Sequence, residues 1–159
     1  MIRQATSADL PRIMEIERAG FSAAEAATEA AMAERIDKIC DTFFVVEQQR
    51  EVRAFVVGNV MDKRYITDDQ FETLEANPAT GGHQSILSIA VDPRYRSRGY
   101  GGELLRHIEQ VARAASRETV SLTCLERLIA YYEKNGYANE GLSTSTHGGE
   151  QWFNLVKNV

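Results

Sequence analysis

Cysteine, proline and positive charge are all scarce in this chain, and no long apolar run is present. Cys40 and Cys124 are the only cysteines among 159 residues. Their spacing fits no metal-ligand pattern, so reduced thiols in a reducing, cytoplasmic compartment are expected. Three prolines and no repeat or low-complexity tract leave nothing that reads as a linker, so residues 1–159 are expected to form a single domain. No apolar stretch approaches the roughly 18 residues of a membrane span, and no signal peptide is read at Met1-Ile2-Arg3, so no membrane partner is expected. The formal net charge is −5, which provides no general attraction for a polyanion and disfavours nucleic acid as a partner. Asp62, Asp68, Asp69, Glu72 and Glu75 form no metal motif and read as a solvated face, so no metal is expected.

What is present is an ordinary globular composition, 43% apolar and 26% charged, which rules out a disordered chain. Ile2 to Ala5 reads as a first strand, and Thr6-Ser7-Ala8-Asp9 as a capping box opening a helix that Gly20 ends. Ser22 to Glu25 reads as a second capping signal, before an alanine-rich helix carrying Met32, Ile36 and Ile39. Residues 42–47 and 52–61 read as a hairpin, and 62–82 as a long polar connection. Strands are expected at 84–91, 120–124, 137–142 and 151–156, with helices after the first two of these. The predicted order is β-α-α-β-β-β-α-β-α-β-β, a mixed α/β (α+β) fold with a mostly antiparallel sheet. It is not a doubly wound dinucleotide fold, because the glycine-rich turn follows a middle strand.

That turn is Arg96-Ser97-Arg98-Gly99-Tyr100-Gly101-Gly102. It follows the apolar run Ile86 to Val91 and leads into a helix with Leu104, Leu105, Ile108 and Val111 on one face. Glycines let backbone N–H groups approach a ligand, and the helix start favours negative charge there. Arg94, Arg96 and Arg98 make a local basic spot on an acidic chain, which suits a small phosphorylated ligand.

Arg96, Gly99 and Gly101 fit the Arg/Gln-x-x-Gly-x-Gly/Ala loop of the GNAT N-acetyltransferases, in the order strand, loop, helix. The chain resembles that superfamily over nearly its whole length. Leu87 to Arg96, Leu122 to Leu128 and Tyr131 to Tyr137 are most similar to its arylalkylamine N-acetyltransferase branch and bacterial relatives, as is the 19–28 stretch. The resemblance implies a GNAT sheet flanked by helices and splayed between the strand at 84–91 and that at 119–124, with a β-bulge near Ser88. It implies acetyl-CoA as acyl-donor cosubstrate. The backbone of Ile89, Ala90 and Val91 would hold the pantetheine arm. Ser97, Arg98, Gly99, Tyr100, Gly101 and Gly102, with Arg96, would hold the pyrophosphate. Asn135 would lie at the pantetheine end, and Tyr132 would be the catalytic acid beside the sulfur. The side chains of Ile89 and Val91 read equally well as core.

The implied reaction is direct acetyl transfer to a small primary amine, arylalkylamine or polyamine-like. An amino acid, an antibiotic or a protein amine remains an alternative acceptor, and a non-catalytic acyl-CoA-binding regulatory module is the rival reading. Vertebrate members of the branch place two histidines where this chain has Ser85 and Leu87, so that proton relay is absent. His83, Glu47, Glu17 and Glu25 are the remaining base candidates, with His83 read as a surface histidine. His147 reads as turn chemistry, although the 143–149 stretch resembles an acceptor-pocket segment. Cys124 reads as a buried structural thiol. The acidic 62–75 segment has a secondary reading as a steering field for a cationic amine. By analogy the fold accommodates a homodimer, for which the strand pair at 137–156 offers an edge.

Overall fold

The computed structural model describes residues 1–71 and 74–159; Glu72 therefore lies outside the described residues. The chain opens with β1 (Ile2–Gln4), α1 (Leu10–Gly20) and α2 (Glu29–Lys38). It continues through β2 (Phe43–Gln48), β3 (Glu51–Val57), β4 (Val60–Met61), β5 (His83–Ile86) and β6 (Ser88–Val91). Then come α3 (Tyr100–Ala114), β7 (Thr119–Leu125), α4 (Ile129–Lys134), β8 (Ala138–Leu142) and β9 (Trp152–Asn158). The strands form two hydrogen-bonded groups, β1-β2-β3-β6 and β4-β5-β7-β9-β8. Every pairing is antiparallel except β5 with β7. This is the mixed, mostly antiparallel α/β fold expected from the sequence.

Strands β2 and β3 are nearly continuous apolar runs because both of their faces are covered. Phe44, Val46, Ala54 and Val56 pack with Leu104, Leu105, Ile108 and Ala112 of α3. Their alternates, Phe43, Val45, Phe55 and Val57, pack with Ile13, Ile16 and Met32 of the first two helices. The period of two along each strand thus separates two apolar clusters on opposite faces of one sheet.

Two expected strands are each divided in the structure. The 52–61 run breaks after Val57: β3 stays with β2, and β4 crosses to pair with β5. Gly58 sits at that break, hard against the backbone of Ser85 and Ile86. The 84–91 run breaks at Leu87. Leu87 N–H donates to the Val57 carbonyl (2.8 Å), while Ser88 is the register partner of Val57. Two successive residues facing one is a β-bulge, and it bends the strand out of one group and into the other.

The second helix also starts later than expected. Residues 22–27 are turns, and Thr28 is the N-cap, its hydroxyl accepting from Ala31 N–H (3.1 Å). The 62–82 connection is more than a solvated face, since Ile66, Gln70 and Leu74 are buried. Among the described residues, no helix is long and apolar enough to cross a membrane.

Candidate active site

The bulge at Leu87 opens a wedge. Strand β7 pairs with β5 from Val120 to Leu122, but from Thr123 onward its one partner among the described residues is β9. Strand β6 turns away and, among the described residues, pairs with β3 alone, leaving its other edge open. Asp92 N–H donates to the Arg53 carbonyl (2.8 Å), which fixes the alternation along the pair. Ser88 and Ala90 therefore bond to β3, and the N–H and C=O of Ile89 and Val91 point to the open edge. An unpaired strand edge inside a fold is a template for another extended, amide-bearing chain.

At the outer end of the wedge the loop enters α3. Arg96, Ser97, Arg98 and Gly99 are exposed, and Tyr100, Gly101 and Gly102 are partly buried in the first turn. Gly99 is the N-cap at φ 83°, a left-handed conformation that explains the glycine. Ser97 also has positive φ (66°). Among the described residues, Arg96 and Arg98 form no ion pair, so both charges are available. Arg94 is different: its guanidinium bonds to Asp92 and Glu51 (3.0 Å each), so the basic spot consists of two arginines rather than three. Arg94 and then Arg12 hold the Asp92 carboxyl well below the usual carboxylate range. The Tyr100 hydroxyl accepts from Arg53 (3.3 Å). Asn135 caps α4, donating to the Tyr131 carbonyl (2.8 Å), and its carboxamide faces Gly102 of the loop helix.

At the inner end, Tyr132 and Cys124 share a cavity with Leu87, Ser88 and Ile89. Tyr132 is buried, with its ring edge-on to Tyr131 and Tyr137 at 5.2 and 5.9 Å. Among the described residues its hydroxyl makes no hydrogen bond. Burial, reinforced by Cys124 and Tyr131, pushes its pKa above that of an ordinary phenol, so it stays a neutral O–H donor. Burial also pushes the Cys124 thiol up to about 12, which leaves it a thiol rather than a nucleophile at neutral pH. The exposed Cys40 is the reactive one. A thiol reagent at pH 7.5 should modify one cysteine in the native protein and two after denaturation. Modification of Cys124 at a rate like that of Cys40 would contradict this.

A further part of the cavity lies across Leu87. Glu17 is 2% exposed; its carboxylate accepts from Ser88 Oγ (2.6 Å) and from Ala27 N–H (2.7 Å). Those two bonds tie α1 to the bulge and pin the 22–27 turns over the cavity. Glu25 and His147 line the same space, together with Phe21 and Trp152. His147 Nε2 donates to the Glu25 carbonyl (2.9 Å), so it is a cavity wall as well as a turn residue. Asp68 bonds to Ser145 Oγ and lines an adjoining cavity with Arg35 and Thr28. Arg35 is buried, and burial lowers its pKa against the pull of Glu17 and Glu34; a guanidinium nonetheless remains a cation.

Two base candidates, Glu47 and His83, are not brought to the site. Glu47 bonds to Arg3 and lines a groove on a different part of the surface. His83 is buried rather than on the surface, bonded to Thr119 (2.8 Å), and does not line the cavity of Tyr132. Ser85 is buried with its hydroxyl on Asn59 (2.8 Å). Sequence reasoning missed Arg35 and the Glu17–Ser88 bond. Arg35 had a legible signal, since it falls three residues after Met32 and four before Ile39 on the apolar stripe.

The fold, loop and wedge are those of the GNAT class. The model of the Acetyltransferase (GNAT) family matches residues 10–137, and the chain belongs to that family. It is 28% identical over 103 residues to serotonin N-acetyltransferase of Mesocricetus auratus, a match covering 64% of this chain and 48% of that protein. The chain thus spans about half the length of that relative. In structure it is similar to the GphF GNAT-like decarboxylase in complex with isobutyryl-CoA, with a TM-score of 0.81, 16% identity and coverage of 99% and 98%. It is also similar to Arabidopsis thaliana Naa50 in complex with the bisubstrate analogue CoA-Ac-MVNAL, with a TM-score of 0.77, 13% identity and coverage of 100% and 98%.

Proposed function

We propose that this acetyltransferase moves the acetyl group of acetyl-CoA directly onto a small primary amine bound between Glu17, Glu25 and Trp152. The open edge of β6, ending at the hydroxyl of Tyr132, is the observation that carries this reading. In it, the pantetheine arm adds to the edge as a strand would, through the backbone of Ile89 and Val91, with the neighbouring Ala90 bonded to β3. Backbone N–H groups from Ser97 to Gly102 hold the pyrophosphate, with charge from Arg96 and Arg98. Asn135 flanks the arm beside Gly102. Complexes of similar folds with CoA compounds support the assignment.

The chemistry follows from these positions. The amine nitrogen attacks the thioester carbonyl carbon, and Ile89 N–H donates to the oxygen as it gains charge. The carbon–sulfur bond then breaks as the Tyr132 hydroxyl protonates the departing sulfur, and the nitrogen's remaining excess proton passes through solvent to restore the phenol, leaving neutral amide and free thiol. Glu17, buried and fixed by two bonds, attracts the ammonium and takes its proton. Cys124 stays a neutral thiol, so no acyl-enzyme forms. Holding both reactants in one cavity supplies much of the rate through effective molarity.

The test is thiol release from acetyl-CoA by the purified protein against a panel of amines. Turnover with at least one small amine is expected, with a raised amine KM and an unchanged acetyl-CoA KM in Glu17→Gln. Tight acetyl-CoA binding without thiol release for any amine would instead favour the regulatory-module reading.

A further inference from the structure

The buried Arg35 is unexplained by acetyl transfer to a bare amine. Its side chain comes from α2 and is 2% exposed, yet it lines the cavity adjoining the acetyl-transfer site. Among the described residues its sole hydrogen-bonding contact is a weak one, from Nη1 to the thioether of Met32 at 3.9 Å. No carboxylate among the described residues reaches it within ion-pair distance. A buried guanidinium that no carboxylate touches leaves its donor fork unfilled, and an anion seated in that fork offsets the desolvation.

The surroundings leave room for that anion and restrict its charge. Ala26, Ala27 and Ala31 line the space beside Arg35 with the smallest side chains that still carry a Cβ. Glu17, Glu25 and Asp68 line the same cavity, so three carboxylates accompany one guanidinium. Such a site repels a phosphate dianion but accepts a single carboxylate accompanied by an ammonium. Glu17, Glu25, Leu87 and His147 border both cavities, so one small molecule can span from Arg35 to Tyr132's cavity.

We infer that the acceptor is an amino acid, whose carboxylate binds Arg35 and whose ammonium is taken by Glu17. This rests on the proposed transfer reaction and narrows its substrate class. Arg35 acts here as a specificity residue, since it touches the substrate away from the reacting nitrogen. Planar two-point contact with a carboxylate is the chemistry that a guanidinium serves better than an ammonium.

The experiment compares matched acceptors that differ only in the carboxylate: phenylalanine with phenethylamine, tryptophan with tryptamine, and lysine with cadaverine. Wild-type protein is expected to show kcat/KM about 100-fold or more higher for the acid member of at least one pair. Arg35→Met should abolish that ratio by raising the amino-acid KM, with the acetyl-CoA KM unchanged, and Arg35→Lys should restore it in part. The wild-type ratio needs no variant, so a misfolded Arg35→Met leaves the inference testable. Equal turnover of both members of every pair would overturn the inference while leaving the transfer reaction standing. If no amine is acetylated, the reaction reading fails by itself. Calorimetric titration with N-acetylphenylalanine and N-acetylphenethylamine then decides the inference: tighter binding of the acid supports it, and equal or absent binding overturns it.

Discussion

Tyr132→Phe should lower kcat by about 100- to 1,000-fold, the usual worth of one positioned acid or charge-stabilising donor. The acetyl-CoA KM should stay within about threefold, because such a loss concerns the transition state and not ground-state binding. The substitution removes one oxygen and keeps the ring that packs between Tyr131 and Tyr137, so the fold should be unaffected. Burial holds the phenol in its neutral form above the ordinary range, so its ionisation should not limit the wild-type rate below about pH 10. Steady-state kinetics on both proteins across pH 6–10, with circular dichroism on each, checks this. Full turnover in the variant would remove Tyr132 from the mechanism.

Gly58→Ala should be among the most damaging single-methyl additions in the molecule. A Cβ at this glycine would lie 1.8 Å from the Ser85 carbonyl oxygen, 2.4 Å from its carbon and 2.9 Å from Ile86 Cα. These are backbone atoms, which no rotamer change can move aside. Both sides are anchored: the Gly58 carbonyl accepts from Thr42 Oγ1 (2.6 Å) and Gln84 Nε2 (2.8 Å), and Ser85 N–H donates to the Asn59 carbonyl (2.8 Å). The strand must shift, at a cost of about 3 kcal/mol or more, the range of severe overpacking. For a chain of this size that corresponds to a fall in Tm of about 6–12 °C. Ser85 and Ile86 lead directly into the Leu87 bulge, so acetyl-CoA affinity should fall as well. Thermal melting and donor binding measure both; an unchanged Tm would show that the contact is relieved at little cost.

The same residues explain which parts of the molecule could be read in advance. Helix α3 and the loop before it were legible because a strand, a glycine turn and an amphipathic stripe occur in order over 86–112. The division at Leu87 was legible only through the family resemblance, which implied a bulge near Ser88; composition alone reads Ser88-Ile89 as uninterrupted strand, because a β-bulge is defined by what lies opposite. Gly58 carried a usable signal, a glycine inside an apolar run, which often marks close backbone approach. Ser22 and Thr28 are both competent caps, and the choice of Thr28 is consistent with Glu17 holding the Ala27 N–H in the turn before the helix. Arg94 could not be separated from Arg96 and Arg98 by sequence, because its partner Glu51 lies 43 residues away. The proposed acceptor side was the least legible part, since its walls come from four separate segments around 17–35, 68, 87 and 145–152.

The central claim is that the open edge of β6 receives the acyl donor. Amide hydrogen exchange, resolved by residue with and without CoA, tests it most directly. CoA should slow exchange at Ile89 and Val91, whose N–H groups face the wedge, and at the loop amides from Ser97 to Gly102. Ser88 and Ala90, already bonded to β3, should change little. Protection of the loop alone, or equal protection at all four strand positions, would contradict pairing of the donor along that edge.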